Sequence, residues 1–122
     1  MVSSSNFRNR RGNLRGLSEF QYSILYSVTN QPMYGLGIKQ QLQDYYDDEV
    51  NHGRLYPNLD NLVERDFLHK RSLDDRTNEY AITERGLAAI LDRTEWEIEQ
   101  LVEDQEAIEQ LIELLESAVN DH

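Results

Sequence analysis

Six residues between positions 52 and 65 have side chains that suit contacts with nucleic acid. They are His52, Arg54, Tyr56, Asn58, Asn61 and Arg65. Arginine and asparagine hydrogen bond to the edges of guanine and adenine, and hydroxyl groups hydrogen bond to phosphate oxygens. We predict base or phosphate contacts for Arg54, Asn58 and Asn61, although a helix also needs polar residues on its solvent side. Tyr56 could instead pack its helix in place, and His52 could be an exposed loop residue.

Two further groups of cations could bind phosphate, because lysine and arginine neutralise its charge without reading sequence. They are Lys70, Arg71 and Arg76, and Arg10, Arg11 and Arg15. Lys70 and Arg71 precede a segment rich in turn-forming residues (74–78) and Arg76 lies within it, and we predict that all three contact a phosphate backbone. The other three lie in residues 1–16, which contain no acidic residue. This basic arm could follow a DNA backbone or minor groove, or it could be a disordered leader.

The sequence contains no pattern typical of an enzyme. Its three histidines are far apart, and it has neither an HExxH motif nor a glycine-rich phosphate loop. The absence of cysteine excludes a disulfide, a thiolate metal site and a thiol nucleophile. We therefore predict that the protein is not an enzyme and that it needs no cofactor or metal ion.

The elements that must position these side chains are short helices followed by a hairpin. Ser18 and Gln21 form a capping-box pattern at the start of a first helix, which ends before Asn30-Gln31-Pro32. A second helix is predicted from Gly35 to Tyr46. Residues 67–82 form two strand-like segments around a turn, which is typical of a β-hairpin.

A third helix is the clearest of these short elements. Its apolar face consists of Leu55, Leu59, Leu62 and Val63. Pro57 has no N–H to donate and is tolerated only in the first turn, so the helix begins near His52 or Gly53. Three helices followed by a hairpin form a winged helix-turn-helix, a mainly α fold in which the third helix enters the major groove of DNA.

A heptad pattern of apolar residues continues from Thr83 almost to the C-terminus. Its predicted dimerisation positions are Leu91, Ile98, Leu101, Ile108, Ile112 and Leu115. One helix from residue 83 to about 118 would be about 54 Å long, longer than a body built from residues 17–82 could cover. We therefore predict that this helix pairs with a second copy in a homodimer.

The charge of the chain is strongly negative and unevenly distributed. The formal net charge is -11, and residues 92–122 contain eleven acidic residues but one arginine. Ten of the twelve cations are arginine. Surplus acid with scarce lysine favours a protein that works at very high salt over an ordinary acidic protein, because salt screens carboxylate repulsion. No apolar run is long enough to span a membrane, so we predict a cytoplasmic protein without a membrane partner.

Three motifs occur within residues 20–91. PMYG at 32–35 fits P-x-x-G, GRLYPNLDNL at 53–62 fits G-x-L-Y-P-x-L-x-x-L, and YAITERG at 80–86 fits Y-x-I-T-x-x-G. With these motifs the chain resembles the PadR-type transcriptional regulators. Its acidic composition and basic arm are most similar to the RosR-type members of halophilic archaea. The resemblance implies a DNA-binding regulator connected with the response to reactive oxygen species.

These observations predict three segments: a flexible basic arm (1–16), a winged helix-turn-helix domain (17–82) and a coiled-coil-like dimerisation helix (83–122). The expected partner is double-stranded DNA with a pseudo-palindromic operator, with salt cations at the interface. The alternative is a winged helix that binds only other proteins. The positions of the cations favour DNA, because eleven of the twelve precede residue 92.

Overall fold

The computed structural model describes residues 14–120. Within them it contains five α-helices and one three-stranded antiparallel sheet. In chain order the elements are α1 (Glu19–Ser27), β1 (Met33–Tyr34), α2 (Gly35–Tyr46), α3 (His52–Glu64), β2 (Leu68–Ser72), β3 (Asn78–Ile82), α4 (Glu84–Leu101) and α5 (Gln105–Asn120). The described residues form two compact units. One contains residues 16–87, and the other contains residues 14, 15 and 88–120. None of the helices described is long and apolar enough to cross a membrane.

Local sequence explains where the first three helices begin. Ser18 Oγ accepts a hydrogen bond from the N–H of Gln21 at 3.1 Å, and Gln21 Oε1 accepts one from the N–H of Ser18 at 3.0 Å. This is the predicted capping box. α2 has the predicted bounds, and α3 begins at His52 after Asn51, whose Oδ1 accepts from the N–H of Arg54 at 2.7 Å. The predictions for these helix starts are confirmed.

The predicted hairpin is present as β2 and β3, with Lys70 opposite Tyr80 and Arg71 opposite Glu79. β1 pairs with the other side of β3, so the strand order is β1-β3-β2. This third strand was not predicted, because two residues are too few to show an alternating pattern.

Apolar side chains from the helices and the sheet fill the core of the unit 16–87. The most deeply buried are Ile24, Leu25, Val28, Ile38, Leu42, Leu55, Leu59, Leu62, Phe67, Leu68 and Tyr80. This set includes the leucines of α3. Each buried leucine side chain contributes about 2 kcal/mol to stability. The leucine face therefore fixes the position of α3 and leaves its other faces to polar residues.

The prediction of one continuous helix from residue 83 to about 118 is wrong, because residues 102–104 between α4 and α5 are not helical. Asp104 explains the second start. Its Oδ1 accepts from the N–H of Glu106 at 3.1 Å, and its carbonyl oxygen accepts from the N–H of Ile108 at 3.0 Å. These are the contacts of a helix N-cap, a position that aspartate favours.

The six predicted dimerisation residues have different environments in the single chain. Three are buried, two are half-buried and one is exposed. The buried residues are Leu91, Ile108 and Ile112, the half-buried residues are Ile98 and Leu115, and the exposed residue is Leu101. The expectation that this face finds no cover within its own chain is therefore wrong for the buried residues.

The last residues of the predicted flexible arm have defined contacts. Leu14 is buried, and Arg15 Nε donates a hydrogen bond to Asp92 Oδ2 at 3.0 Å. Asp92 is 3% exposed, so this ion pair compensates a buried carboxylate. The predictions for Arg10 and Arg11 lie outside the described residues.

Candidate nucleic-acid interface

Four of the predicted contact residues form a polar row along α3 and its C-cap residue: Arg54, Asn58, Asn61 and Arg65. Arg54, Asn58 and Asn61 each directly precede a leucine of the apolar face, and Arg65 follows Asn61 by four residues. Consecutive helical residues are about 100° apart around the helix axis. The polar row therefore lies beside the leucine face, not opposite it. Arg54 extends over the ring of Phe20 in α1, with its guanidinium carbon 3.9 Å from the ring centroid. The polar row thus has contacts inside the protein as well as exposed atoms.

The side-chain oxygens of Asn58 and Asn61 make hydrogen bonds within the protein, although Asn61 is exposed and Asn58 is half-buried. Gln21 Nε2 donates to Asn58 Oδ1 at 3.1 Å and to Asn61 Oδ1 at 3.0 Å. Asn58 Nδ2 also donates to the carbonyl oxygen of Arg54 at 2.8 Å. α1 packs against α3 at this point, and this contact between distant parts of the sequence fills acceptor positions that base contacts were expected to use.

The face directly opposite the leucines is a second row, which we call the outer row: Gly53, Pro57, Asp60 and Glu64. Gly53, Pro57 and Asp60 each precede a leucine of the apolar face by two residues, and Glu64 follows Leu62 by two. A separation of two residues corresponds to about 200° around the helix. All four are exposed. Two of them are carboxylates, so the outermost surface of α3 carries negative charge.

Tyr56 contacts His52 within α3 and Gly35 at the start of α2. Its ring lies 4.2 Å from the ring of His52 between centroids, at an interplanar angle of 30°. A methyl group at position 35 would overlap the Tyr56 hydroxyl group, so glycine is needed at the start of α2 for this close approach. Tyr56 therefore has the packing role considered above.

Tyr56 also lines a cleft of about 310 Å³ together with Arg76. Tyr34, Gly35, Leu36, Thr77 and Asn78 form the rest of its wall. The cleft brings α3, the start of α2 and the β2–β3 turn together. A phenolic hydroxyl and a guanidinium on one cleft form a pair of groups that can hydrogen bond to a phosphate.

The wing cations lie on β2 and on the turn after it. Lys70 and Arg76 are exposed, and Arg71 Nη2 lies 3.1 Å from Glu79 Oε1 on β3. A surface ion pair of this kind contributes at most about 1 kcal/mol, so Arg71 can change partner at little cost. The N–H of Arg76 donates to Asp74 Oδ1 at 2.8 Å, and this hydrogen bond lowers the pKa of Asp74.

A compact junction connects the wing to α4. Thr83 Oγ1 accepts from the N–H of Gly86 at 2.9 Å and donates to the carbonyl oxygen of Asp66 at 2.6 Å. The N–H of Thr83 donates to the carbonyl oxygen of Phe67 at 3.3 Å. Asp66 has a φ of 65°, a left-handed conformation that aspartate tolerates better than most residues. The junction therefore fixes both ends of the hairpin.

Sequence reasoning missed three residues of this surface. Gln21 was assigned only a capping role, although its amide reaches α3. Asp60 and Glu64 were visible as acidic helix residues, but their place on the outer row was not considered.

Burial raises the pKa of Tyr80, and the nearby Asp60 carboxylate and Tyr56 raise it further. No group of three potential metal ligands occurs within residues 14–120.

Three helices, the third of which has a polar surface, and a β-hairpin wing define a winged-helix protein. The sequence matches the Transcriptional regulator PadR-like family over residues 24–92. The chain therefore belongs to this family of transcriptional regulators. The expectation of a mainly α winged-helix fold is confirmed, and membership of a regulator family confirms the expectation that the protein is not an enzyme.

Solved structures add two levels of similarity. RosR from H. salinarum, in a structure grown from NaBr, is 42% identical with a TM-score of 0.74, and the match covers 90% of this chain and 100% of that one. RosR in a complex designated RosR-S4 is 42% identical with a TM-score of 0.73, and the match covers 88% of this chain and 94% of that one. These matches confirm the resemblance to RosR-type regulators.

A more distant match shows the fold alone. F93 from STIV, a winged-helix DNA-binding protein, is 16% identical with a TM-score of 0.61, and the match covers 75% of this chain and 100% of that one. No curated protein matches the chain at a significant level.

Proposed function

We propose that the protein is a cytoplasmic, homodimeric regulator that binds double-stranded DNA sequence-specifically at high salt. The polar row of α3 contacts bases, while Tyr56 and the wing cations contact phosphates. The shared cleft of Tyr56 and Arg76 carries the proposal most directly, because it joins the third helix and the wing into one surface. The similarity to RosR extends the proposal to a response to reactive oxygen species.

The first test is a gel-shift assay on the promoter region of the protein's own gene, in buffer of high potassium chloride concentration. A retarded complex that resists excess unrelated DNA supports sequence-specific binding. Equal competition by every DNA contradicts it.

Loss of Arg54 and loss of Arg76 should have different effects. Arg54→Ala removes a candidate base contact and should reduce affinity for the preferred site by about 1–3 kcal/mol while relaxing preference at one position. Arg76→Ala removes a phosphate contact and should weaken binding to all sequences alike. Fluorescence anisotropy with specific and scrambled duplexes separates the two effects. Wild-type affinity in a combined Arg54→Ala, Asn58→Ala and Asn61→Ala variant contradicts the role of α3.

The proposed dimer uses apolar residues of α4 and α5 that remain exposed. Leu101 is 84% exposed and Leu114 is 68% exposed, and Trp96 is half exposed. With the exposed Leu111, α4 and α5 have four exposed large apolar residues, and exposed apolar surface of this kind is available for pairing with a second copy. A two-fold symmetric dimer would place two copies of α3 about 34–36 Å apart, in successive major grooves of a pseudo-palindromic site.

Substitution of the exposed leucines should dissociate the dimer. Leu101→Gln with Leu114→Gln removes apolar area from the proposed interface without touching the buried Ile108 and Ile112. We expect at least a tenfold weaker dimerisation, because loss of 1.4 kcal/mol has this effect. Leu73→Gln, at an exposed leucine in the wing turn, is the matched control and should leave the mass from light scattering unchanged. An intact dimer in the double variant contradicts this interface.

The outer row favours a second candidate function, a winged helix that binds only proteins. The carboxylates of Asp60 and Glu64 would repel DNA phosphates if no cation lay between the carboxylates and the phosphates. We propose that salt cations fill this role in the DNA complex. The protein-binding alternative predicts no sequence-specific DNA complex at any salt concentration.

A further inference from the structure

The side chain of Gln21 connects the start of α1 to the polar row of α3. It is 9% exposed and makes hydrogen bonds to three residues. Its Oε1 accepts from the N–H of Ser18 at 3.0 Å, while its Nε2 donates to Asn58 Oδ1 at 3.1 Å and to Asn61 Oδ1 at 3.0 Å. One buried amide thus meets two asparagines that we propose to lie at the DNA interface.

Backbone groups determine the orientation of all three carboxamides. The N–H of Ser18 can only donate, so Gln21 must present its oxygen to Ser18 and its NH₂ group to α3. An NH₂ group can only donate, so Asn58 and Asn61 must each turn their oxygens toward Gln21. At the other end, Asn58 Nδ2 donates to the carbonyl oxygen of Arg54, which can only accept. No carboxamide can flip alone without placing two donors or two acceptors together.

The exposed atoms of Asn61 therefore have one polarity. Its Oδ1 accepts from Gln21 and, at 3.5 Å, from Arg65 Nη1, so both lone pairs have partners. Its Nδ2 donates no hydrogen bond within residues 14–120, and the residue is exposed. Bidentate contact with adenine needs an oxygen acceptor and an N–H donor from the same asparagine. Asn61 offers only the donors.

We propose that Gln21 is a specificity-determining positioning residue, which makes Asn61 select base edges that carry acceptor atoms. In the major groove guanine (O6 and N7) and thymine (O4) carry only acceptors, whereas adenine carries an amino donor beside its N7 acceptor and cytosine carries only a donor. The preferred bases are therefore guanine and thymine. The inference rests on the proposed function, because it requires α3 to contact bases. Gln21 itself contacts no base, and acts only by fixing the direction of the asparagine amides.

Gln21→Glu tests the proposal by reversing the polarity of the group that faces Asn61. Glutamate preserves the capping box, since its carboxylate also accepts from the N–H of Ser18. It cannot donate, so Asn61 must turn its NH₂ group inward and present Oδ1 to the DNA. Binding selection from a randomised duplex library should show preference at one base pair changing from guanine or thymine to a base with an amino group. One hydrogen bond corresponds to a preference of about fivefold.

Gln21→Leu is the matched variant, because it removes the network without reversing it. It should lower the preference at the same base pair about fivefold and create no new preference. Circular dichroism and thermal unfolding establish that each variant is folded. A sequence preference in the wild type that both variants retain unchanged overturns the role of Gln21 and leaves the proposed function intact. A wild type without any sequence preference overturns both.

A measurement on the wild-type protein without DNA gives an independent result. In nuclear magnetic resonance spectra, the side-chain NH₂ protons of Gln21 should exchange with solvent at least tenfold more slowly than those of Gln110, an exposed residue of α5. Slow exchange supports the network even if a variant does not fold. Exchange at the same rate as Gln110 shows that the network does not form and overturns the proposal.

Discussion

Gly86→Ala should lower the free energy of unfolding by about 3 kcal/mol, the cost of inserting a methyl group where the backbone leaves no space. The new Cβ would overlap the carbonyl oxygen of Phe67 and lie 2.8 Å from Ile82 Cγ1. The Phe67 carbonyl cannot move freely, because it accepts a hydrogen bond from the N–H of Thr83. Relief of the overlap must therefore open the junction between the wing and α4. Urea unfolding followed by circular dichroism at high salt measures the change.

Gly53→Ala is the control for this substitution. The nearest atom to a Cβ at position 53 is Asn51 Oδ1 at 3.5 Å, an ordinary contact. Alanine is favoured over glycine in helices by up to about 1 kcal/mol, so this variant should be as stable as the wild type or more stable. If Gly86→Ala unfolds within 1 kcal/mol of Gly53→Ala, the junction is not as tightly packed as its geometry indicates.

Features with local causes could be predicted from the sequence. The Ser18–Gln21 capping box, the bounds of α2 and the start of α3 depend on residues within one or two helical turns. The break at residues 102–104 also has a local cause, because Asp104 is a good N-cap residue. The break was not predicted, because the apolar spacing continues across it. Apolar periodicity shows which face of a helix is buried, but it does not show where a helix is interrupted.

The chemistry of the polar row could not be predicted in this way. The Gln21 amide meets Asn58 and Asn61, which are 37 and 40 positions away in sequence. Such a contact depends on how α1 packs across α3, which no local pattern specifies. The face opposite the leucines could have been derived from helical geometry, but residue type directed attention to Arg54 and the asparagines instead of Asp60 and Glu64.

The dependence of DNA affinity on salt should be the reverse of that of an ordinary basic protein. A basic protein releases condensed counterions when it binds, so its affinity falls steeply as salt rises. Here Asp60 and Glu64 project from the outer face of α3, and the whole chain has a net charge of -11. Carboxylates that approach phosphates should take up cations from solution instead. The slope of log affinity against log salt should therefore be shallow or positive between moderate and molar potassium chloride.

Asp60→Asn with Glu64→Gln should restore the ordinary behaviour, because neutral amides need no cation near phosphate. Each lost cation should make the slope more negative by about one, so two substitutions change relative affinity about 100-fold over a tenfold range of salt. Glu106→Gln with Glu113→Gln removes the same charge from exposed positions of α5 and should leave the slope nearly unchanged. Isothermal titration calorimetry of the three proteins measures these slopes. A steep negative wild-type slope contradicts adaptation to high salt, whereas equal slopes in both double variants show that the outer row does not face DNA.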